Sequence, residues 1–373
     1  MKEVVIETTG YCPQNCIHCS SRKNLEGEYR LTADEMKSVL DDLFVLGVDE
    51  LCFSGGEPLV YPDLDEILGY ANENLDSKLT LYTCGFENYY KPIEEERLEE
   101  LRDLGVDKLV FSLHGVSEKF NLEIDGENFL FDLPLSIHEF ISSGGSLEPG
   151  RKDKLENLKD LIINSKKIGF ETGVHFVVMK LNMYDMDNTA SFLNDIAVDE
   201  LSFLRYVPQG IFNEDWKKSD FAENFYGQLD TTKRDLHYIE EKLIELYREY
   251  QNKDMKIRVG DPWRSPRIKE ELNLPLECKA AENVIEITYK GDVVPCPALK
   301  WIEDYNLGNI KNQSLIEIMN SKKRKTVLKN MRKENKEPCR SQTIQKSYST
   351  GEKSPEVKRF EKMREHFIKK YQK

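Results

Sequence analysis

Residues 8–19 read Thr8-Thr9-Gly10-Tyr11-Cys12-Pro13-Gln14-Asn15-Cys16-Ile17-His18-Cys19. The three cysteines have C-x3-C-x2-C spacing and directly follow a short apolar strand pattern at residues 4–7. Thiolates bind soft metals, and cysteine sulfur holds iron–sulfur clusters. A four-iron cluster has one ligand position per iron, so three cysteines leave one iron open to a small molecule. The alternative is a structural zinc site or a disulfide with a spare thiol, although structural zinc usually takes four protein ligands.

The composition describes an ordinary folded protein. The chain has 373 residues, of which 39% are hydrophobic and 32% charged, enough for one large α/β domain and a smaller one. No apolar run approaches the ~20 residues of a membrane span, and a strand beginning almost at Met1 leaves no room for a signal peptide. Six of the eight cysteines form two groups of three, which favours metal binding in a reducing cytoplasm. We therefore expect a cytoplasmic protein without a membrane partner.

A weak repeat organises the first 207 residues. Leu46-Gly47-Val48-Asp49-Glu50-Leu51 recurs at 104–109 and more loosely at 197–201, and each copy ends a helical pattern and opens a strand pattern. The first helix should begin at the capping box of Thr32 and Glu35. We predict strands at 3–8, 49–54, 78–83, 107–113, 170–179 and 199–207. Strands that alternate with helices indicate a parallel sheet.

The helix after Thr32 should bury one apolar face. That face comprises Met36, Val39, Leu40, Leu43 and Phe44. Farther along, the connection from Gly115 to Gly150 is long for a loop between a strand and a helix. We interpret it as a lid, a substrate-facing insertion or a partly disordered excursion.

Polar motifs follow several of the predicted strands. Gly55-Gly56-Glu57 follows the second strand, where glycines let the backbone approach a ligand and a carboxylate can accept from an ammonium group. Ser112 ends the fourth strand, Asn182 follows the fifth and Arg205 lies near the end of the sixth. The carboxyl ends of parallel barrel strands share one face, so these side chains should lie near the cysteine loop.

The cysteine spacing and the Gly-Gly-Glu motif together resemble the radical S-adenosylmethionine (SAM) superfamily. The resemblance implies a partial (βα)6 TIM-like barrel in which Cys12, Cys16 and Cys19 hold a [4Fe–4S] cluster. SAM would chelate the open iron, and its reductive cleavage would yield a 5′-deoxyadenosyl radical that abstracts hydrogen from a substrate. His18 replaces the aromatic residue that usually precedes the third cysteine in this family.

The same resemblance implies contacts with SAM. Gly55, Gly56 and Glu57 would contact its amine, and Ser112 its ribose or carboxylate. Relatives often carry an arginine before a later Gly-x-Phe, and the matching segment at 124–129 has none. Arg205 is one candidate partner of the SAM carboxylate, and Asn182 is another candidate cofactor contact. Surface or loop-packing roles are equally good interpretations of both residues.

The second group of cysteines comprises Cys278, Cys296 and Cys339. A hairpin pattern at 284–294 and the spacing Gly291-x4-Cys296 resemble the C-terminal extension of SPASM and twitch radical enzymes. A full SPASM domain would supply seven cysteines, so three imply a twitch-type domain with one auxiliary [4Fe–4S] cluster. The alternative is a three-cysteine zinc site completed by a histidine.

These observations give four expected segments. They are the radical SAM core at 1–215, a bridging helical segment at 216–274, the twitch/SPASM-like domain at 275–340 and a basic helical tail at 341–373. From Ser321 onward there are 18 lysines and arginines against 6 aspartates and glutamates, in a chain of net charge −14. The tail is a solvated helix or a docking surface for an acidic electron donor, ferredoxin or flavodoxin.

The predicted activity is that of an oxidoreductase or maturase acting on a small polar metabolite or a ribosomal peptide. No peptide-recognition module is expected before the barrel, which favours a small molecule or a peptide delivered by another protein. Two other classes stay open. One is a non-catalytic iron–sulfur electron carrier, and the other is a zinc protein whose tail binds nucleic acid, although no nucleic-acid partner is expected for the enzyme.

Overall fold

A computed structural model gives the architecture of the chain. It describes residues 1–14, 16, 18–19, 30–87, 91–116, 120–124, 127–131, 151–206, 231, 233–260, 263, 265–274, 280–300 and 305–333. In this part of the chain, no helix combines the length and the apolar character needed to cross a membrane.

Twelve strands are present among the described residues. They are β1 (Glu3–Glu7), β2 (Glu50–Ser54), β3 (Lys78–Thr83), β4 (Lys108–Ser112), β5 (Phe120–Ile124), β6 (Glu127–Phe131), β7 (Glu171–Val178), β8 (Glu200–Arg205), β9 (Lys256–Val259), β10 (Val284–Ile287), β11 (Asp292–Val294) and β12 (Gly308–Asn309). All six predicted strands are confirmed, with ends within two residues of those expected.

From β1 to β8, the helices alternate with the strands of the main sheet, as the repeat predicts. The helices of the described residues are α1 (Ala33–Leu46), α2 (Leu64–Asn74), α3 (Glu95–Asp103), α4 (Arg151–Ile168), α5 (Met186–Asp195), α6 (Lys233–Tyr250), α7 (Pro266–Leu272), α8 (Leu315–Asn320) and α9 (Lys322–Lys333). Short 3-10 turns occupy Pro58–Val60, Met183–Asp185 and Pro297–Leu299.

Ten strands form one sheet in the order β12-β11-β10-β1-β2-β3-β4-β7-β8-β9. From β10 to β9 the neighbours are parallel, so β1, β2, β3, β4, β7 and β8 form the expected α/β core. Two features were not predicted. The strand β9 extends the core from within the segment expected to be only a helical bridge, and β10 joins the C-terminal hairpin directly to β1. The strands β5 and β6 form a separate antiparallel pair.

The repeated motif marks the turn from a helix into the next strand. Gly47 and Gly105 have φ of 66° and 90°, in the left-handed region that ends a helix without a steric penalty. The third copy holds Ala197 at the same place, with φ of 59°. The aspartate of the motif fixes the neighbouring strand in two copies, because Asp107 Oδ2 accepts from Leu79 N (2.9 Å) and Asp199 Oδ2 accepts from Thr172 N (2.8 Å).

Helix α1 confirms the predicted capping box and most of the predicted core face. Thr32 Oγ1 accepts from Glu35 N (3.2 Å), and Thr32 N donates to Glu35 Oε2 (2.9 Å). The expectation that Phe44 is buried was wrong, because its exposed fraction is 67%. Phe44 lies about 80° round the helix from Met36, at the edge of the apolar stripe.

Candidate functional site

The cysteine loop leaves the carboxyl end of β1 and returns beside it. Leu31 N donates to Thr8 O (3.2 Å), and Thr9 pairs with Arg30 in an antiparallel bridge. The Tyr61 hydroxyl donates to Leu31 O (2.8 Å) from the segment before α2. The loop is therefore closed at its base by hydrogen bonds, so its cysteines stay at the carboxyl edge of the sheet. Residues 15, 17 and 20–29 of this loop lie outside the described part.

The three cysteines of the loop lie close enough for Cys16 and Cys19 to affect the pKa of Cys12. Cys12 is buried, whereas Cys16 and Cys19 are partly exposed, and Cys19 N donates to Cys16 O (3.3 Å). Burial raises the pKa of the Cys12 thiol well above its ordinary value, and Cys16, Glu57 and Cys19 raise it further. A bound metal would reverse this effect, because a coordinating thiol is deprotonated.

Within the described residues, no three histidine, cysteine or acidic side chains stand close enough together to hold one metal ion. A four-iron cluster does not need such close convergence, because each thiolate binds a different iron. Three soft thiolates from one closed loop therefore fit the iron–sulfur cluster better than a single zinc ion, for which tetrahedral sites place four ligands around one centre.

Gly55 and Gly56 hold the cysteine loop by direct backbone contact. Gly56 N donates to Thr9 O (2.6 Å), and Glu57 N donates to Tyr11 O (2.8 Å). A Cβ on Gly56 would lie 1.9 Å from Tyr11 O, and one on Gly55, whose φ is 136°, would lie 2.5 Å from Thr9 O. Only glycine fits at these two positions, so the motif has a local structural cause whatever it contacts in a ligand.

The Glu57 carboxylate is buried and accepts hydrogen bonds from three protein groups. Oε1 accepts from Thr83 Oγ1 (2.6 Å) and Leu59 N (3.1 Å), while Oε2 accepts from Cys84 N (2.7 Å). Burial raises the pKa of Glu57 above its ordinary value, and the hydrogen bonds with Cys84 and Thr83 oppose that shift. Glu57 thus ties the end of β2 to the end of β3. Direct contact between Glu57 and SAM stays a prediction.

His18 packs against His114, two residues after Ser112, for which the sequence indicated no role. The two ring centroids are 3.9 Å apart with an interplanar angle of 73°. His114 Nδ1 accepts from Val177 N (3.0 Å), which anchors its ring to β7. Burial lowers the pKa of His18 to about 4 and that of His114 well below its ordinary value. Both rings are therefore neutral, and they pack the cysteine loop onto the core.

Ser112 and Asn182 lie at the rim of the barrel in different surroundings. Ser112 is exposed at the carboxyl end of β4. Asn182 is fully buried: Oδ1 accepts from Met179 N (2.7 Å), and Nδ2 donates to His114 O and Val177 O (both 2.9 Å). The Asn182 amide thus joins the ends of β4 and β7, and its predicted contact with the cofactor stays a prediction.

Arg205 packs against an aromatic ring at the end of β8. Its guanidinium carbon lies 5.3 Å from the centroid of Trp263, and the exposed fractions of the two residues are 9% and 1%. Trp263 lies four residues beyond the end of β9, the strand that pairs with β8. Its predicted role as a partner of the SAM carboxylate stays untested.

The C-terminal cysteines are only partly described. Cys296 is partly exposed and immediately precedes the turn Pro297–Leu299, whereas Cys278 and Cys339 lie outside the described residues. The predicted hairpin is confirmed as the antiparallel pair β10 and β11, and Ile310 N, just after β12, donates to Gly291 O (2.8 Å) in the turn of the hairpin. This hairpin holds Cys296 on the same sheet as the cysteine loop.

Comparison with known proteins identifies the class that this fold and loop define. The family model of the radical SAM superfamily matches residues 6–193, and the model of SPASM, an iron–sulfur cluster-binding domain, matches residues 278–341. The chain belongs to the radical SAM superfamily and has a radical SAM core followed by a SPASM domain. Its cofactors are SAM and [4Fe–4S] clusters, one for the core and further iron–sulfur binding in the SPASM domain.

Among its relatives is the Fe-coproporphyrin III synthase of Methanosarcina barkeri, 24% identical over 325 residues that cover 84% of this chain and 72% of the relative. The PqqA peptide cyclase of Bradyrhizobium diazoefficiens is 36% identical over 154 residues, covering 36% of this chain and 38% of the relative. Streptococcus suis SuiB bound to SAM shares the fold, with a TM-score of 0.59, 18% identity and coverage of 86% of this chain and 65% of SuiB. The chain thus spans less than two thirds of the latter two proteins.

Proposed function

We propose that this protein cleaves SAM reductively at a cluster held by Cys12, Cys16 and Cys19, and that the resulting radical abstracts hydrogen from a substrate. The observation that carries the proposal is the pair of backbone hydrogen bonds from Gly56 and Glu57 to the cysteine loop, which brings the two motifs into direct contact. When bound, the cluster supplies the electron that cleaves SAM. The contribution of the protein is to hold the cofactor and the substrate in position. We assign this step to an oxidoreductase or maturase of the SPASM type.

In this proposal the chain contributes three functions around the cofactor. The cysteine loop presents three thiolates and leaves one iron position for SAM. The segment Gly55-Gly56-Glu57 presents backbone groups at the same edge, where they would meet the SAM amine, and exposed Ser112 would meet its ribose or carboxylate. Asn182 and Arg205 would complete the cofactor pocket, Asn182 by holding the ends of β4 and β7 at a fixed spacing.

We further propose that Cys278, Cys296 and Cys339 bind an auxiliary [4Fe–4S] cluster. The proposed segments are the core at 1–215, a bridge at 216–274 that also adds β9 to the core sheet, the auxiliary domain at 275–340 and a basic tail at 341–373. An oxidation that begins with hydrogen abstraction leaves a substrate radical with one more electron to lose, and an auxiliary cluster could accept it. The electron for SAM cleavage would come from a ferredoxin or flavodoxin.

For the substrate, relatives support two classes. One relative matched over most of both chains is named for the synthesis of Fe-coproporphyrin III, which makes a tetrapyrrole the first small molecule to test. The PqqA peptide cyclases match over about a third of the chain and support a ribosomal peptide as the second class. Because the first match also covers the C-terminal region, we favour the small molecule.

The test is anaerobic reconstitution with iron and sulfide, followed by reduction with dithionite in the presence of SAM. We expect 5′-deoxyadenosine and methionine from the wild type and none from the Cys12/Cys16/Cys19→Ala variant. A matched control is Cys52→Ala, since Cys52 is fully buried in β2 outside the loop and its replacement should retain activity. SAM cleavage by the triple variant would refute the site assignment.

Substrate classes are separated by isotope transfer. Deuterated tetrapyrrole or deuterated peptide is supplied in turn, and deuterium is measured in the 5′-deoxyadenosine. Transfer from the tetrapyrrole alone would support our choice, and transfer from the peptide alone would overturn it.

A further inference from the structure

The parallel strands of the core have one apolar and one polar face, because side chains alternate along a strand. On β7, Val174 and Phe176 are buried on one face, whereas Glu171 and His175 belong to the other, which we call the inner face. The strand register gives it a lower row of Thr80, Lys108 and Glu171 and an upper row of Ser112, His175 and Ser202. The upper row lies four residues, or about 13 Å, nearer the carboxyl ends of β4 and β7.

The lower row of the inner face is filled by ion pairs. Lys108 Nζ lies 2.9 Å from Glu171 Oε1 and 3.4 Å from Glu200 Oε1, and its side chain is 8% exposed. The Lys108 side chain crosses over Gly173, where a Cβ would lie 3.2 Å from Lys108 Cε. Protein atoms therefore occupy this level of the inner face, so a ligand would approach it from the carboxyl ends of the strands.

The inner face is also paired on the side of the C-terminal hairpin. Lys300 Nζ lies 2.8 Å from Glu7 Oε1 and 3.3 Å from Glu286 Oε1, and the exposed fractions of the three side chains are 3%, 2% and 2%. The register places Glu286 in the lower row and Glu7 two residues beyond that row on β1. The charged groups at both places thus have partners within the protein.

His175, in the upper row, differs because its ring has no hydrogen-bond partner among the described residues. The residue is partly exposed and lies in register with exposed Ser112 on β4. Its ring meets the ring of Tyr82 at a centroid distance of 4.9 Å and an interplanar angle of 62°. Tyr82 belongs to β3, so the two rings meet across the intervening strand β4, as side chains do on the concave side of a curved sheet.

The ring of His175 is neutral. Burial, with a smaller effect of the charges on Arg258 and Lys108, lowers the pKa of His175 to about 3. A neutral imidazole carries one N–H donor and one nitrogen acceptor, and polar groups removed from bulk water are nearly always hydrogen-bonded. Packing against Tyr82 requires only a ring, so the contacts within the described residues do not explain the polar atoms of His175.

The position of His175 relates it to the cofactor site proposed above. Active sites of barrels lie at the carboxyl ends of their strands. Ser112, the proposed contact of the SAM ribose or carboxylate, is the neighbour of His175 in the same row. Neighbouring strands are about 4.8 Å apart, so a molecule bound beside Ser112 would lie within reach of the His175 ring.

We propose that His175 is a substrate-binding residue whose imidazole N–H donates a hydrogen bond to a carbonyl or carboxylate oxygen of the substrate, beside SAM. The inference rests on the proposed function and deepens it by assigning one contact to the substrate. Both substrate classes considered above, a tetrapyrrole with carboxylate side chains and a peptide, carry such an oxygen. Tyr82 is a positioning residue in this arrangement, because its ring holds the imidazole edge-on.

The first test is modification of the reconstituted full chain by diethyl pyrocarbonate, which acylates neutral imidazole, with each histidine quantified by mass spectrometry. His175 should react because it faces an open chamber, whereas His18 and His114, 8% and 5% exposed, should not. SAM at about ten times its dissociation constant should slow the reaction of His175 about tenfold, since only unoccupied protein reacts. His237 on α6 is the matched control, because its side chain is 67% exposed and SAM should not change its rate.

The second test measures deuterium transfer to 5′-deoxyadenosine from a limiting concentration of the deuterated tetrapyrrole or peptide. His175→Leu should lower the deuterium found per 5′-deoxyadenosine about tenfold, the effect of one lost hydrogen bond. His175→Gln retains a donor and should recover most of the transfer. His237→Leu replaces an exposed histidine and should have no effect.

The outcomes separate this inference from the proposed function. A His175 that reacts as slowly as His114, or equally fast with SAM bound, overturns the inference whichever substrate is used. A His175→Leu protein with wild-type transfer, or a His175→Gln protein that loses as much transfer as His175→Leu, also overturns it. A wild type that binds no SAM or forms no 5′-deoxyadenosine instead overturns the proposed function.

Discussion

Gly56→Ala tests whether the two motifs of the site are joined by backbone contact. The added Cβ would lie 1.9 Å from Tyr11 O and 2.3 Å from the Tyr11 carbonyl carbon. Ordinary contact begins near 3.4 Å, so the two backbones must separate by about 1.5 Å. Both atoms belong to the main chain, so no side-chain rotation can relieve the overlap.

The expected loss of stability follows from the hydrogen bonds that this separation breaks. Gly56 N donates to Thr9 O at 2.6 Å and Glu57 N to Tyr11 O at 2.8 Å, and a further 1.5 Å or so takes both beyond bonding distance. A buried donor left without a partner costs about 1–3 kcal/mol, so two of them cost about 2–6 kcal/mol. The same movement displaces Cys12 and should reduce cluster binding.

The assay has two parts, urea unfolding of the metal-free protein and iron content after reconstitution. Gly56→Ala should lower the free energy of unfolding by about 2–6 kcal/mol. It should also lower the iron content by about four atoms per chain, the content of one four-iron cluster. The control is Gly69→Ala in α2, where a Cβ would meet only Leu104 at 3.8 Å. It should leave iron unchanged and stabilise the helix by about 0.5–1 kcal/mol. A Gly56→Ala protein with wild-type stability and iron would refute the reasoning.

Three further predictions concern stability and SAM affinity. Ala197→Gly should raise the free energy of unfolding by about 0.5–1 kcal/mol, because relief of the left-handed backbone exceeds the added entropy of the unfolded chain; a lower urea midpoint would contradict this. Glu57→Ala should weaken SAM binding, measured by calorimetry, roughly ten- to a hundredfold. It should also destabilise the metal-free protein by about 1–3 kcal/mol, since Thr83 and Cys84 lose their acceptor. A change in affinity without a change in stability would instead indicate that the carboxylate contacts the ligand. Glu286 has a folded pKa of about 8 against 4.5 when unfolded, so the folded state holds a proton that the unfolded state releases. The free energy of unfolding of the wild type therefore falls as pH rises from about 4.5 to 8. Glu286→Gln should therefore gain stability relative to wild type over that window, by up to about 1.4 kcal/mol per pH unit, and parallel pH profiles in urea unfolding would exclude the effect.

The sequence predicts the parallel core well because its signals are local. The repeated motif specifies where a helix ends and the next strand begins. Gly47 and Gly105 have the positive φ expected of them, and Ala197 has it too, which was not predicted. The short strand β9 was missed because Lys256–Val259 offers only four residues, too few to show a period. The pair β5 and β6 was also not predicted, and it lies in the segment interpreted as an insertion or excursion.

The site is less predictable because its contacts are long-range. Lys300 meets Glu7 across 293 positions in the chain, and no local pattern around either residue indicates a partner. The two come together only because β10 pairs with β1 in parallel, with Ile287 opposite Ile6. Periodicity can show that a strand exists, but it does not specify which strand lies beside it.

The residues that the motifs pointed to most strongly are held mainly by the protein itself. The carboxylate of Glu57 accepts from three donors, and the amide of Asn182 donates twice and accepts once. Each joins the carboxyl ends of two neighbouring strands, β2 with β3 and β4 with β7. A polar side chain at such an edge can therefore serve a ligand without touching it, because it fixes the spacing of the backbone groups around the ligand. A motif residue of this kind should be judged by whether its loss moves the neighbouring strand end, and the paired measurement of stability and affinity for Glu57→Ala separates that role from direct contact.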